Sequence, residues 1–159
     1  MCKVYFVATP IGNLGDISYR AVETLKNADL LLCEDTRHSR ILLDRYGVNK
    51  PLKSFHKFNE KKTLDFVCDT VRSGKTVAVI SDAGMPCVSD PGYLLVRRLI
   101  EEKIDYTVLP GACAFVTAFV MTGFEAPFRF AGFLKEKASE RQTQLASRPS
   151  GGVTIFYSA

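Results

Sequence analysis

TVAVISDAGMPCVSDPGY, residues 76–93, decides the architecture. Residues 76–80 form a short apolar run rich in β-branched side chains, the pattern of a strand buried on both faces. Residues 94–102 then show the apolar spacing of a helix. Between them, residues 81–93 hold two carboxylates (Asp82, Asp90), two prolines and two glycines. In open α/β sheets ligands bind in the crevice outside the carboxyl ends of the strands, so a loop of this composition points to a small-molecule site. An ordinary connection would need only Asp90 as N-cap and Pro91 as first helical residue. Asp82, Ala83 and Gly84 serve no cap, and they tilt the reading toward a site.

The same alternation runs outward in both directions. Strands are expected at residues 3–8, 30–33, 52–55, 76–80 and 106–109, and helices at 18–28, 36–46, 59–73 and 94–102. Gly47 and Gly74 stand where C′ glycines close helices, and Asn59 is a plausible N-cap. Leu64, Val67, Cys68 and Val71 mark a core-facing stripe. This is an α/β chain with a mostly parallel five-stranded sheet flanked by helices. After Pro110-Gly111 the pattern changes to a helix at 114–122, a strand at 130–133, a polar helix at 138–146 and a strand at 153–157. The expected division is residues 1–111 as an N-terminal α/β domain and 112–159 as the first part of a second, incomplete one. The latter is short for a self-sufficient core, and VTIFY at 153–157 belongs inside a larger sheet.

Composition narrows the class. Of 159 residues, 47% are hydrophobic and 24% charged, as in a globular protein. The longest apolar stretch, residues 112–121, is far short of the roughly 20 needed to span a bilayer, and the N-terminus lacks a signal-peptide pattern. The five cysteines (Cys2, Cys33, Cys68, Cys87, Cys113) form no CxxC pair. Reduced thiols in the cytoplasm, each a small buried hydrophobe, are expected, and no metal site. A net charge of +4 permits an anionic partner without requiring one. Lys135, Lys137, Arg141 and Arg148, interspersed with Glu136 and Glu140, fit a solvated helix face as well as a phosphate-tracking patch.

Three further loops fall at expected carboxyl ends of strands. TPIGNLGD, residues 9–16, has glycines that let the backbone approach a ligand, with Asp16 as a possible helix cap. No GxGxxG and no GxxxxGK[ST] occurs, which disfavours a nicotinamide oxidoreductase or a nucleotide-triphosphate enzyme. EDTRHS, residues 34–39, could orient an anionic or hydroxyl-bearing substrate, with His38 or a carboxylate as general base; alternatively Asp35 or Thr36 caps the helix and Arg37 pairs with an acid. SFHKFNE, residues 54–60, sets His56 and Lys57 between aromatics, a composition suited to stacking on a base and touching phosphate.

Taken in order, TPIGNLGDIS, EDTRHS, HKFNE and SDAGMPCVSDPGY resemble the bacterial 16S rRNA cytidine 2′-O-ribose methyltransferases, a branch of the tetrapyrrole methylase (class III) family. The resemblance continues through LPGACAFVTAF, FRFAGF and TIFY. It implies S-adenosylmethionine bound between two α/β domains, with Pro10, Ile11, Gly12, Asp82, Ala83, Gly84, Pro110, Gly111 and Ala112 on the first-domain side. It further implies 16S rRNA of the small ribosomal subunit as substrate, and a homodimer. Asp35, His38 and His56 are the expected aids to the reacting hydroxyl, and Arg37, Lys57 and Asn59 the expected RNA contacts. Members extend further than residue 159, which agrees with an incomplete second domain. Two other readings remain: a small-molecule methyltransferase acting on a tetrapyrrole or precorrin, and a catalytically inert RNA-binding module.

Overall fold

The computed structural model describes residues 3–125 and 127–158, so the reading of Cys2 lies outside the described residues. The chain forms two compact units, Met1–Ala112 and Cys113–Ala159. In the first, the strands are β1 (Val4–Val7), β2 (Leu30–Cys33), β3 (Leu52–Ser54), β4 (Val77–Ile80) and β5 (Tyr106–Leu109). They alternate with α1 (Tyr19–Asn27), α2 (Thr36–Arg45), α3 (Glu60–Arg72) and α4 (Tyr93–Glu101). All pairings are parallel, in the order β3-β2-β4-β1-β5. Central position explains the apolar run: every residue of β4 is buried.

Strand alternation divides the core into two layers. Val7, Ala78 and Ile80 pack with Leu25 of α1 and Leu43 of α2. Val4, Phe6, Val77 and Val79 face Val67 and Val71 of α3 and Leu95 and Leu99 of α4. Of the stripe predicted on α3, Val67 and Val71 face this second layer with Leu64 at its margin, and Cys68 is buried outside it. Of the cysteines, Cys33 and Cys68 are fully buried, whereas Cys87 and Cys113 are partly exposed; all four are free.

Three helix caps differ from the sequence expectation. Ser18, not Asp16, caps α1, its Oγ accepting from Ala21 N at 3.1 Å; Asp16 instead ends a single 3₁₀ turn (Leu14–Asp16). Asn59 holds the expected N-cap position of α3, yet its side chain makes no cap bond. Neither Asp90 nor Pro91 starts α4, whose N-cap is Gly92 at φ 130°. The carboxylate that satisfies that terminus comes from α3: Glu60 Oε1 accepts from Gly92 N and Leu94 N, each at 2.9 Å.

The second unit contains α5 (Ala114–Thr122), β6 (Phe128–Phe133), α6 (Ala138–Ala146) and β7 (Val153–Tyr157). β6 begins two residues earlier than its apolar pattern suggested and pairs in parallel with β7. Its centre is aromatic, Phe115 stacking on Phe130 at 4.4 Å and Phe119 on Phe128 at 4.4 Å.

Candidate functional site at the carboxyl edge of the sheet

Strand order locates the crevice before any side chain is considered. β1 and β4 are neighbours, but β1 feeds α1 on one face of the sheet and β4 feeds α4 on the other. Loops that leave adjacent strands in opposite directions open a cleft at the topological switch point. A pocket of about 310 Å³ lies there, near the lower end of the usual size range for small-molecule sites.

Its walls come from three segments. The loop after β1 contributes Thr9, Pro10, Ile11 and Gly12; the end of β4 contributes Ile80, Ser81, Asp82 and Ala83; α2 contributes His38, Ser39, Ile41 and Leu42. Thr9 and Gly84 exchange backbone hydrogen bonds at 2.9 and 3.1 Å, pinning the first and fourth loops together. Their buried hydroxyls complete the lock: Thr9 Oγ1 donates to Ser81 O at 3.1 Å and Ser81 Oγ to Gly84 O at 2.9 Å. Gly84 takes φ 82°, which an L side chain rarely adopts. Gly111 is needed for another reason: a Cβ there would sit 2.7 Å from that of Ala8. The segment holding Pro110, Gly111 and Ala112 therefore lies close against the exit of β1, and Ala112 O approaches Gly84.

The pocket chemistry suits a partly apolar, cationic ligand. Ile11, Leu14, Ile41, Leu42 and Ile80 supply apolar wall, and Asp82 is the one carboxylate among the described lining residues. Asp82 Oδ1 accepts from Asp35 N at 3.2 Å, which fixes its carboxylate. Ser39 Oγ is buried with no hydrogen-bond partner apart from the weak Cys33 thiol beside it, so it retains capacity for a ligand. Ser39, Ile41 and Leu42 were not foreseen. The spacing of His38, Ile41 and Leu42 at i, i+3 and i+4 was the available signal that they share a face.

The other predicted residues divide by what already holds them. Asp35 caps α2, accepting from Arg37 N at 2.8 Å. The Arg37 side chain, bonded back to that carboxylate, holds it below the usual range, which favours a cap over a proton acceptor. Asn59 is committed within its own loop, accepting from His56 N at 2.8 Å and donating to Ser54 O at 3.0 Å. His38 is exposed at the pocket wall. His56 is not among the pocket residues; its Nδ1 is buried without a partner. Lys57 is exposed.

A second carboxylate group gathers beside Asp82. Burial, then the charge of Asp82, pushes Glu34 upward, with Lys57 and His56 opposing. Burial, followed by the charges of Glu34 and Asp82, pushes Asp90 up to about 6. An unfolded chain releases this proton near pH 3.8, so the folded state holds an extra proton between the two values. Stability therefore falls as pH rises through that window and stays lower above it. Asp90→Asn should melt higher than the wild type at neutral pH by a few degrees, equivalent to about 1 kcal/mol once screening at this partly exposed group is allowed for. The gap should close below about pH 4. Thermal melts across the acid range measure it, and a pH-independent gap would refute the assignment.

Residues 3–159 match the family model described as Tetrapyrrole (Corrin/Porphyrin) Methylases. The chain belongs to that family of S-adenosylmethionine-dependent methyltransferases. It is 52% identical over 157 residues to the ribosomal RNA small subunit methyltransferase I of Mycoplasmopsis pulmonis, covering 99% of this chain and 71% of that protein. The same-named proteins of Mesomycoplasma conjunctivae and Thermotoga maritima are 45% and 42% identical, over 98% and 99% of this chain and 66% and 71% of theirs. Among solved structures, uroporphyrin-III-C-methyltransferase from Thermus thermophilus superposes with a TM-score of 0.66 at 22% identity, over 82% of this chain and 60% of that one. That likeness establishes the shared fold. The chain thus spans roughly two thirds of the length of these proteins.

Proposed function

We propose that the protein methylates the 2′-hydroxyl of a cytidine in 16S rRNA of the small ribosomal subunit, with S-adenosylmethionine as donor. The observation that carries this reading is the switch-point pocket with apolar walls and a single, backbone-fixed carboxylate. Relatives at 42–52% identity that bear a small-subunit rRNA methyltransferase name support the choice of substrate. We read residues 1–111 as the domain that supplies the cofactor and substrate loops, residues 112–159 as part of the second, and the whole protein as a homodimer.

The donor supplies a methyl group on a sulfonium, so the reaction is an in-line displacement at carbon. The protein must hold its ligands, align the ribose oxygen and accept a proton. Asp82 opposes the cationic end of the donor, while Ile11, Ile41, Leu42 and Ile80 shelter its apolar part. Pro10, Gly12, Ala83 and Gly84 keep the surrounding backbone close. Arg37 and Lys57 offer charge to RNA phosphate. Of the candidate proton acceptors, His38 lines the pocket, whereas His56 lies outside it with its Nδ1 buried, which favours His38. A well-positioned base contributes about 10²–10⁴-fold.

Calorimetric titration with S-adenosylmethionine, with NAD as control ligand, tests the cofactor half. Selective binding is the expected result; binding of NAD in preference would overturn it. Transfer of labelled methyl to 30S subunits tests the substrate half. Label passing to a precorrin instead would establish the small-molecule reading, and RNA binding without cofactor binding the inert-module reading.

A further inference from the structure

The aromatics flanking His56 and Lys57 have opposite fates, and that difference is informative. Phe55 is 1% exposed, its amide bonded to Cys33 O at 2.8 Å, and it belongs to the core. Phe58, three residues on, is 94% exposed. Burying a phenylalanine typically contributes about 1.5–3 kcal/mol, none of which this ring supplies. Nor is it a loose surface residue, because the turn that carries it is braced at both ends. Asn59 and Glu60 amides donate to His56 O at 3.0 and 2.9 Å. The Asn59 side chain ties His56 N to Ser54 O, and Glu60 is anchored to the start of α4. The His56 ring meets Phe58 edge-on at 6.0 Å and limits where it can lie.

Its surroundings indicate what would cover it. Lys57, Lys61 and Lys62 are exposed around the turn, and among the described residues none of them forms an ion pair. Lys57 also faces Glu34 and Asp90, so Lys61 and Lys62, at the start of α3, are the cations freest to meet an anion. An exposed π-face beside uncompensated lysines matches a single-stranded nucleic acid, whose bases stack on aromatic rings while its phosphates meet cations. The turn follows β3 at the same sheet edge as the pocket. Ser54 Oγ donates to Glu34 O, and Asp35 N to Asp82. Three strand spacings, about 14 Å, separate β3 from β1, so a base on Phe58 would be a neighbour of the reacting nucleotide.

We propose that Phe58 is a stacking platform for an unpaired base next to the nucleotide that is methylated, with Lys61 and Lys62 holding the adjoining phosphates. This rests on the rRNA methyltransferase reading. The test is fluorescence anisotropy of a labelled oligocytidylate with the full chain, each variant also titrated with S-adenosylmethionine. Phe58→Ala and Phe58→Leu should each weaken RNA binding by about 5-fold or more, up to roughly 100-fold, while Phe58→Trp retains it. The Lys61→Ala/Lys62→Ala variant should flatten the salt dependence of log Kd by about 0.7 per lysine. Cofactor affinity should be unchanged throughout. Equal RNA affinity for Phe58→Ala and wild type, or no RNA binding by the wild type, overturns the platform. A lower sedimentation mass for Phe58→Ala with RNA affinity intact also overturns it, assigning the ring to contact between copies. Wild-type failure to bind S-adenosylmethionine would strike the underlying reading instead, which keeps the two failures apart.

Discussion

Asp82→Ala is expected to lower the affinity for S-adenosylmethionine by about 10- to 100-fold, the loss of a charge-assisted contact worth roughly 1.5–3 kcal/mol. The donor carries a sulfonium and an ammonium, and Asp82 is the single carboxylate among the described residues that line the pocket. Its position is fixed from two sides. It follows β4, the central strand, and its Oδ1 is held by the backbone amide of Asp35 at the exit of β2. Asp82→Asn separates charge from geometry, since an amide oxygen can still accept from Asp35 N. If charge carries the affinity, Asn and Ala should be similarly impaired. If the carboxylate mainly shapes the loop, Asn should bind like the wild type and Ala alone should fail. Calorimetry on the three proteins distinguishes these, and undiminished binding by both variants would remove Asp82 from the cofactor site.

The sheet was legible because its strands are short, apolar and separated by turn-rich loops, a pattern that survives without tertiary information. Leu30–Cys33, Tyr106–Leu109 and Val153–Tyr157 coincide with their expected bounds. The pocket was partly legible: Pro10, Ile11, Gly12, Asp82 and Ala83 lie in loops whose composition exceeded what a turn requires, and His38 lies in the charged segment that opens α2. The rest of its α2 wall was not, because Ser39 and Leu42 lie on the buried side of the helix, where core packing alone accounts for their residue types. Asp35 caps α2 as one reading expected, but the caps of α3 and α4 failed for a different reason. Capping signals are local, reaching two or three residues along the chain. Ser18 obeys that range; Glu60 does not, since it reaches Gly92 across 32 residues. Asn59 resembled a cap by position, but the turn that presents Phe58 required its side chain instead.

Glu60→Ala is expected to cost the first unit about 3 kcal/mol, the scale of removing one side of a buried, charged hydrogen-bond network. Glu60 is 7% exposed, and its Oε1 serves Gly92 N, Leu94 N and, at 3.4 Å, Leu95 N. These are amides at the start of α4, which the helix cannot satisfy internally and where the dipole favours a negative charge. Alanine would leave the amides of Gly92 and Leu95 buried, and that of Leu94 partly buried, with no acceptor. The loop before them has little tolerance, because Cys87 and Ser89 already take positive φ and a Cβ at Gly92 would collide with the Cys87 sulfur. A melting temperature lower by roughly 10 °C follows from the size of the unit. Glu60→Gln keeps an acceptor oxygen without the charge and should lose about 1 kcal/mol. Hydrogen exchange supplies the local signature: the amides of Gly92, Leu94 and Leu95 should open faster in the alanine variant than those of β4. A melt indistinguishable from wild type, or uniform acceleration across the unit, would show that α4 does not depend on this carboxylate. The expected pattern would instead tie the Asp90 loop to the turn that carries Phe58, since one side chain anchors both.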